Sequence, residues 1–145
     1  MNIRSIEERD VDVILGIQRS SPEISQWTSL DYARVARGEM AGWVAEEAGV
    51  VVGFVVARQI ANDVEVLNLA VRPESRRRGI GTSLLGAALA WGRGFRAEKA
   101  LLEVRASNLA ALRFYERHGF EVRGRRPRYY TAPIEDALLL TIAHP

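Results

Sequence analysis

The chain of 145 residues contains no cysteine, which excludes a disulfide framework, a thiolate metal site and a cysteine nucleophile. Any acyl chemistry must then run by direct transfer, without an enzyme-bound thioester. Histidine is scarce: His118 and His144 are the only imidazoles, which argues against a zinc site and leaves no metal expected. Lysine is scarcer still, since Lys99 is the only one among 20 basic residues and the rest are arginines. Arginine forks onto phosphate bidentately, which suits a nucleotide-bearing ligand or an RNA-associated substrate. GC-rich codon usage gives the same composition, and a net charge of +2 creates no large field. No apolar run approaches the roughly 20 residues that span a bilayer. Met1-Asn2-Ile3-Arg4-Ser5 opens a strand pattern rather than a signal peptide, so a soluble cytoplasmic protein without a membrane partner is expected. Repeats, linkers and low-complexity tracts are also missing. With 48% hydrophobic content, residues 1–145 form one domain able to bury a full core.

What is present is an alternating pattern. Asn2–Ile6 reads as a short strand, and Glu8-Arg9-Asp10 leads into a helix with the stripe Val11, Ile14, Leu15 and Ile17, broken at Ser21-Pro22. Asp31 opens a second helix through Val35 that ends near Gly38. Gly42–Glu47 and Val50–Arg58 pair as a hairpin across Ala48-Gly49, and Asn62-Asp63 turns into a strand over Val64–Val71. A helix over Gly81–Gly94, a strand over Ala100–Ala106 and a helix over Asn108–His118 come next, with Gly119 as a left-handed cap. Phe120–Arg126 and Ile134–Ile142 make a last strand pair, joined by an arginine- and tyrosine-rich loop.

Arg76-Arg77-Arg78-Gly79-Ile80-Gly81-Thr82 stands between the Val64–Val71 strand and the long helix. In that setting the segment is a pyrophosphate cradle: two glycines let a ligand approach backbone N–H groups, the helix presents its positive end, and the arginines add charge. Strand, helix and the strand over Ala100–Ala106 form a right-handed βαβ unit, with the cradle at the carboxyl end of its first strand. An ordinary dinucleotide fold would add further parallel units, whereas this chain ends in two adjacent strands.

The second half then reads Leu101-Leu102-Glu103-Val104-Arg105-Ala106-Ser107-Asn108 and, further on, Tyr115-Glu116-Arg117-His118-Gly119-Phe120. With the glycine loop, and with Arg128-Tyr129-Tyr130 and Glu135-Asp136-Ala137, these segments closely resemble the GNAT acyl-CoA-dependent N-acetyltransferases over roughly residues 60 to 140. Within them the chain is most similar to the ribosomal-protein alanine N-acetyltransferases. The resemblance implies an α/β GNAT fold, a mixed central sheet whose two parallel central strands splay apart between flanking helices. It also implies acetyl-CoA as co-substrate, its pantetheine arm paired to the backbone of Leu69, Ala70 and Val71, its pyrophosphate on Arg76–Thr82, and an amide contact from Asn108. By themselves, Leu69–Val71 suit a plain buried strand and Asn108 suits a helix N-cap. The resemblance further implies Glu103 as general base and Tyr115 as general acid. Transfer needs a neutral amine, so a base is required, and Glu103 sits in an otherwise apolar strand where desolvation raises a carboxyl. An outward Glu103 paired with Arg105 or Arg113, and a Tyr115 that merely packs in the core beside Phe114, read the same residues structurally. His118 reads as a cation near a helix C-terminus.

The resembled subfamily acetylates the N-terminal alanine of the eighteenth small-subunit ribosomal protein, so the expected partner is a protein or peptide N-terminus, ribosomal in that case, with no direct nucleic-acid role. Trp27, Tyr129 and Tyr130 are candidate acceptor contacts, or partial core. Ile24-Ser25-Gln26-Trp27-Thr28-Ser29 keeps a tryptophan where the subfamily has Pro-Trp-Ser, which leaves a lysine side chain or a small amine open. Two readings of other kinds remain: a module binding RNA or the ribosome through Arg123, Arg125, Arg126 and Arg128 with Tyr129 and Tyr130, and a CoA-binding regulator without catalysis.

Overall fold

Periodicity and caps in the sequence set the elements of the computed structural model, which describes residues 1–145. In chain order these are β1 (Asn2–Ser5), α1 (Val11–Arg19), α2 (Ser29–Ala36), β2 (Ala41–Glu47), β3 (Val50–Ile60), β4 (Asp63–Val71), α3 (Ile80–Gly94), β5 (Lys99–Arg105), α4 (Leu109–Arg117), β6 (Glu121–Thr131) and β7 (Ile134–Ala143). Single 3-10 turns at Glu8–Asp10 and Pro73–Ser75 precede α1 and α3. No helix is long and apolar enough to cross a membrane. Helix α2 begins at a capping box, in which the Thr28 hydroxyl accepts from the Asp31 N–H and the Asp31 carboxylate accepts from the Thr28 N–H. The β2–β3 hairpin turns through Ala48 and Gly49, both at positive φ, which matches the strand twist.

Seven strands form one mixed sheet in the order β1-β2-β3-β4-β5-β7-β6, and β4 with β5 is its only parallel pair. That pair is joined only at Val64–Ala100 and Glu65–Leu101, after which the two strands part. One apolar cluster packs α3 and α4 on one face of the sheet, through Leu84, Leu85, Ala88 and Tyr115 among others. A second packs α1 and α2 on the other, through Ile14, Ile17, Tyr32 and Val35.

A bulge sets which way β4 side chains face beyond the parting point. Ala57 lies opposite Val66 and Val56 opposite Asn68, so Leu67 is an extra residue in β4. One inserted residue shifts the strand's alternation by one. Val64 and Val66 therefore face the α3/α4 cluster, whereas Asn68 and Ala70 face α1 and α2.

Two expectations are corrected. The Arg/Tyr segment is not a loop, because β6 runs on to Thr131 and closes a tight hairpin at Thr131–Ile134. Pro127 suggests a break but lies in an edge strand, where no further ladder bond is lost, and the pairing slips between Arg126 and Tyr130, with Arg128 at φ 53°. The β3–β4 turn is Ala61-Asn62 rather than Asn62-Asp63, since Ile60 pairs directly with Asp63.

Candidate active site

Where β4 and β5 part, a cleft of ≈ 560 Å³ opens between the end of β4, the start of α3, α4 and the chain after α1. The alternation of an antiparallel ladder decides which β4 groups face it. The Arg72 N–H donates to the Val52 oxygen, so Arg72 and Ala70 belong to pairs bonded to β3. Leu69 and Val71 therefore turn their peptide groups toward the parted edge. Val71 oxygen accepts from Arg76 Nε at 3.0 Å, which leaves the Val71 N–H and the whole Leu69 peptide unit open toward the cleft.

The glycine loop supplies the base of the cleft. Gly79, at φ 80°, is the N-cap of α3, and the first bond of that helix is Ser83 N–H to Gly79 oxygen. The N–H groups of Ile80, Gly81 and Thr82 therefore have no helical partner, and all three residues line the cleft. A Cβ at Gly81 would lie 3.4 Å from the Phe114 ring, so only the Cβ itself fits there in ordinary contact. The three arginines separate. Arg76 is a brace, donating also from Nη2 to Ser21 Oγ at 2.9 Å. Arg78 turns outward to Glu47 and lies outside the cleft lining, whereas Arg77 lines the cleft without an ion pair. Across the cleft, His118 Nε2 shares a 3.0 Å hydrogen bond with Thr82 Oγ1 and packs edge-on to Phe114, a link beyond its helix-end position.

Asn108 combines two positions. Its Oδ1 caps α4 by accepting from the Ala111 N–H, and its residue lines the cleft while Nδ2 has no protein partner. A side crevice of ≈ 60 Å³ continues from the cleft, sharing Glu23, Ile24, Leu69, Asn108, Ala111 and Tyr115 with it. Both Glu103 and Tyr115 line it. Leu102 and Val104 enter the α3/α4 cluster, so Glu103 between them points to the opposite face. Its Oε2 is buried without a hydrogen bond; Arg126 Nε comes within 3.2 Å but is not aligned to donate. Neither Arg105 nor Arg113 makes an ion pair with it. Arg105 is held by Glu135 and stacked over Tyr130 at 4.3 Å, whereas Arg126 reaches across from β6. The Tyr115 side chain is enclosed without a hydrogen bond, and burial pushes its phenol well above the ordinary range. Such a hydroxyl stays protonated and is a donor at every physiological pH. No group of acidic or imidazole side chains converges as a metal site would.

Of the three aromatics named from sequence, Tyr130 lines the crevice, and burial followed by the Glu103 charge raises its phenol pKa. Tyr129 is half-exposed, edge-on to Tyr130 and over Arg126, and Trp27 packs on Tyr32 at 5.4 Å, outside both linings. The alternative basic surface is largely neutralised: Arg123 pairs with Glu121, Arg125 with Asp136 and Arg126 with Glu103. Sequence reasoning missed Ser21, Glu23, Ile24, Phe114 and Arg117. Phe114 adjoins the Tyr115 motif, but the loop after α1 carries no local signal.

Comparison with known proteins adds to this geometry. A family model described as acetyltransferase (GNAT) family matches residues 9–120. An uncharacterized N-acetyltransferase of Methanocaldococcus jannaschii is 34% identical over 141 residues, covering 97% of this chain and 90% of the relative. An N-alpha-acetyltransferase of Sulfurisphaera tokodaii is 33% identical over 151 residues, covering 95% and 90%. The crystal structure of the ribosomal-protein-S18-alanine N-acetyltransferase from Escherichia coli superposes with a TM-score of 0.84 at 26% identity, over 99% of this chain and 93% of that one.

Proposed function

The chain belongs to the GNAT family and is an N-acetyltransferase, and from that premise we propose that it carries acetyl from acetyl-CoA to the N-terminal α-amine of a protein, foremost an N-terminal alanine of a small-subunit ribosomal protein. The observation that carries this reading is the continuity of two spaces. A cleft with three unpaired N–H groups at the start of α3 opens directly into a crevice lined by an unbonded carboxylate oxygen and a protonated phenol. Pyrophosphate accepts from Ile80, Gly81 and Thr82, with Arg77 adding charge. The pantetheine amides meet the open Leu69 peptide unit and Asn108 Nδ2. Glu103 takes the ammonium proton, directly or through a water, and the freed amine nitrogen bonds to the thioester carbonyl carbon. When the carbon–sulfur bond breaks, Tyr115 gives its proton to the departing thiolate and the nitrogen sheds its second proton, which restores the phenol directly or through water, so the sum is the amide, the CoA thiol and one proton that Glu103 passes to solvent.

The crevice is small beside the cleft, ≈ 60 against ≈ 560 Å³, which suits a small acceptor end such as an α-amine with a short side chain. The proton arithmetic agrees. An α-ammonium near pKa 8 is already partly neutral at physiological pH, whereas a lysine near 10.4 asks the site for about 3 kcal/mol more. The reading carries with it a cytoplasmic location, where acetyl-CoA and new ribosomal proteins meet. Offered a hexapeptide beginning with alanine, its N-blocked form with an internal lysine, and spermidine, the enzyme acetylates the first by a wide margin, with mass spectrometry placing acetyl on the terminal nitrogen. Comparable or faster acetylation of the blocked peptide or of spermidine overturns the acceptor assignment.

A further inference from the structure

The segment between α1 and α2 has almost no regular backbone bonding, yet it walls both spaces of the site: Glu23 and Ile24 line cleft and crevice, and Ser25 lines the crevice. Three buried polar side chains from three elements hold it. Tyr32 of α2 is fully buried, donates its hydroxyl to Gln18 Oε1 and accepts from Asn68 Nδ2 at 3.0 Å. Gln18 of α1 clamps one residue twice, donating from Nε2 to Trp27 oxygen at 2.8 Å and accepting from the Trp27 N–H at 3.0 Å. Asn68 of β4 donates a second bond to Ser25 oxygen at 3.0 Å, and it reaches that carbonyl because the Leu67 bulge turns it to this face. The cleft side of the same segment is held separately, by the Arg76–Ser21 bond.

We propose that Tyr32, Gln18 and Asn68 are positioning residues for the acceptor: they fix the peptide groups of Ser25 and Trp27, and with them the crevice wall opposite Glu103, while acetyl-CoA binding depends on the other anchor. A satisfied buried network contributes little net stability over apolar packing but permits one geometry, which is what a wall for a small amine needs. The inference rests on the crevice being the acceptor's site, though not on which amine enters it.

Tyr32→Phe keeps the ring against Trp27 and Phe54 and removes only the hydroxyl. With the whole protein, the alanine hexapeptide and spermidine as acceptors, the KM for whichever the wild type acetylates rises about tenfold or more, since the lost hydroxyl makes two buried hydrogen bonds, to Gln18 and from Asn68. The acetyl-CoA dissociation constant stays within about twofold, on the premise that its anchor is separate. Amide exchange quickens across residues 24–28 and not in α3. Asn68→Ala, which releases the Ser25 carbonyl but leaves Tyr32 and Gln18 bonded, gives the same split should Tyr32→Phe fail to fold. Val35→Ala loosens the same apolar cluster without touching the network and leaves the acceptor KM unchanged. The proposal is overturned by an unchanged acceptor KM, by equal losses for acceptor and acetyl-CoA, by a Val35→Ala shift matching that of Tyr32→Phe, or by unchanged exchange over residues 24–28. Wild-type activity on spermidine alone would instead end the α-amine reading and leave the network to be judged on spermidine.

Discussion

Replacing Gly81 with valine puts the location of the pyrophosphate to a direct thermodynamic test. A ligand that binds only the native state at 100 times its dissociation constant stabilises the fold by about 2.7 kcal/mol. For 145 residues the entropy of unfolding is roughly 0.3 kcal/mol per kelvin, so saturating acetyl-CoA should raise the Tm of the wild type by about 9 °C. Gly81 is the second residue of α3, in helical conformation, and a Cβ there stands 3.4 Å from Phe114, an ordinary contact. Valine is no worse a helix former than glycine, so the apo Tm should hardly move. Its two methyl groups, however, have only the Phe114 ring or the cleft to occupy. Those that enter the cleft cover N–H groups that pyrophosphate has to touch. If affinity falls 100-fold, the same ligand concentration leaves about 0.4 kcal/mol, and the shift drops to little more than 1 °C. Alanine, which adds only the Cβ, should give an intermediate shift. Differential scanning fluorimetry with and without acetyl-CoA reads all three proteins. A Gly81→Val shift within about 2 °C of the wild-type shift, with the apo Tm unchanged, refutes the cradle at the start of α3.

Glu103→Gln keeps the shape of the side chain and removes its basicity, so kcat/KM should fall roughly 100-fold or more, with partial recovery as rising pH supplies free amine. Tyr115→Phe should also slow transfer but without that recovery, because the wild-type phenol stays protonated throughout the assay range; pH–rate profiles of both variants decide, and near-normal activity of Glu103→Gln at neutral pH would return Glu103 to a structural role. Away from the site, Asp10 is subject to burial, which raises a carboxyl, yet the Arg4 guanidinium and the Glu7 N–H outweigh it and hold Asp10 below the usual aspartate value. A carboxyl depressed in the folded state contributes stability above its unfolded pKa of about 3.9 and loses it as the pH falls through the folded value. Asp10→Asn should therefore cost about 1–3 kcal/mol at pH 7 and progressively less below pH 4, as read by urea unfolding at both pH values. An equal cost at both pH values would refute the ion-pair argument.

The sequence by itself determined the order of strands and helices and the chemistry on offer, apart from the run of β6 on to Thr131. Caps, periodicity and glycine positions are local, so the long helix after the glycine loop, the helix opened near Asp31 and the βαβ unit were legible from neighbours a few residues apart, whereas the Thr28 half of the Asp31 capping box was not. The absence of cysteine and the residues around Glu103 and Tyr115 narrowed the reaction in the same local way. Tertiary structure decided which of those residues meet. Nothing local shows that Arg76 braces Ser21 while Arg77 alone of its trio remains a free charge in the cleft, because the partners lie far apart along the chain. Nor could composition foresee Arg126 beside Glu103, brought there by a β7–β6 order that reverses the chain at the sheet edge and by a strand that persists through Pro127. The deciding detail is the one-residue bulge at Leu67. A strand's alternation is read from sequence only up to its first irregularity, and past that point every side chain changes face. That slip turns Asn68 toward Tyr32 and the loop after α1, at the place where β4 leaves β5, and so joins the wall of the crevice to the opening of the cleft.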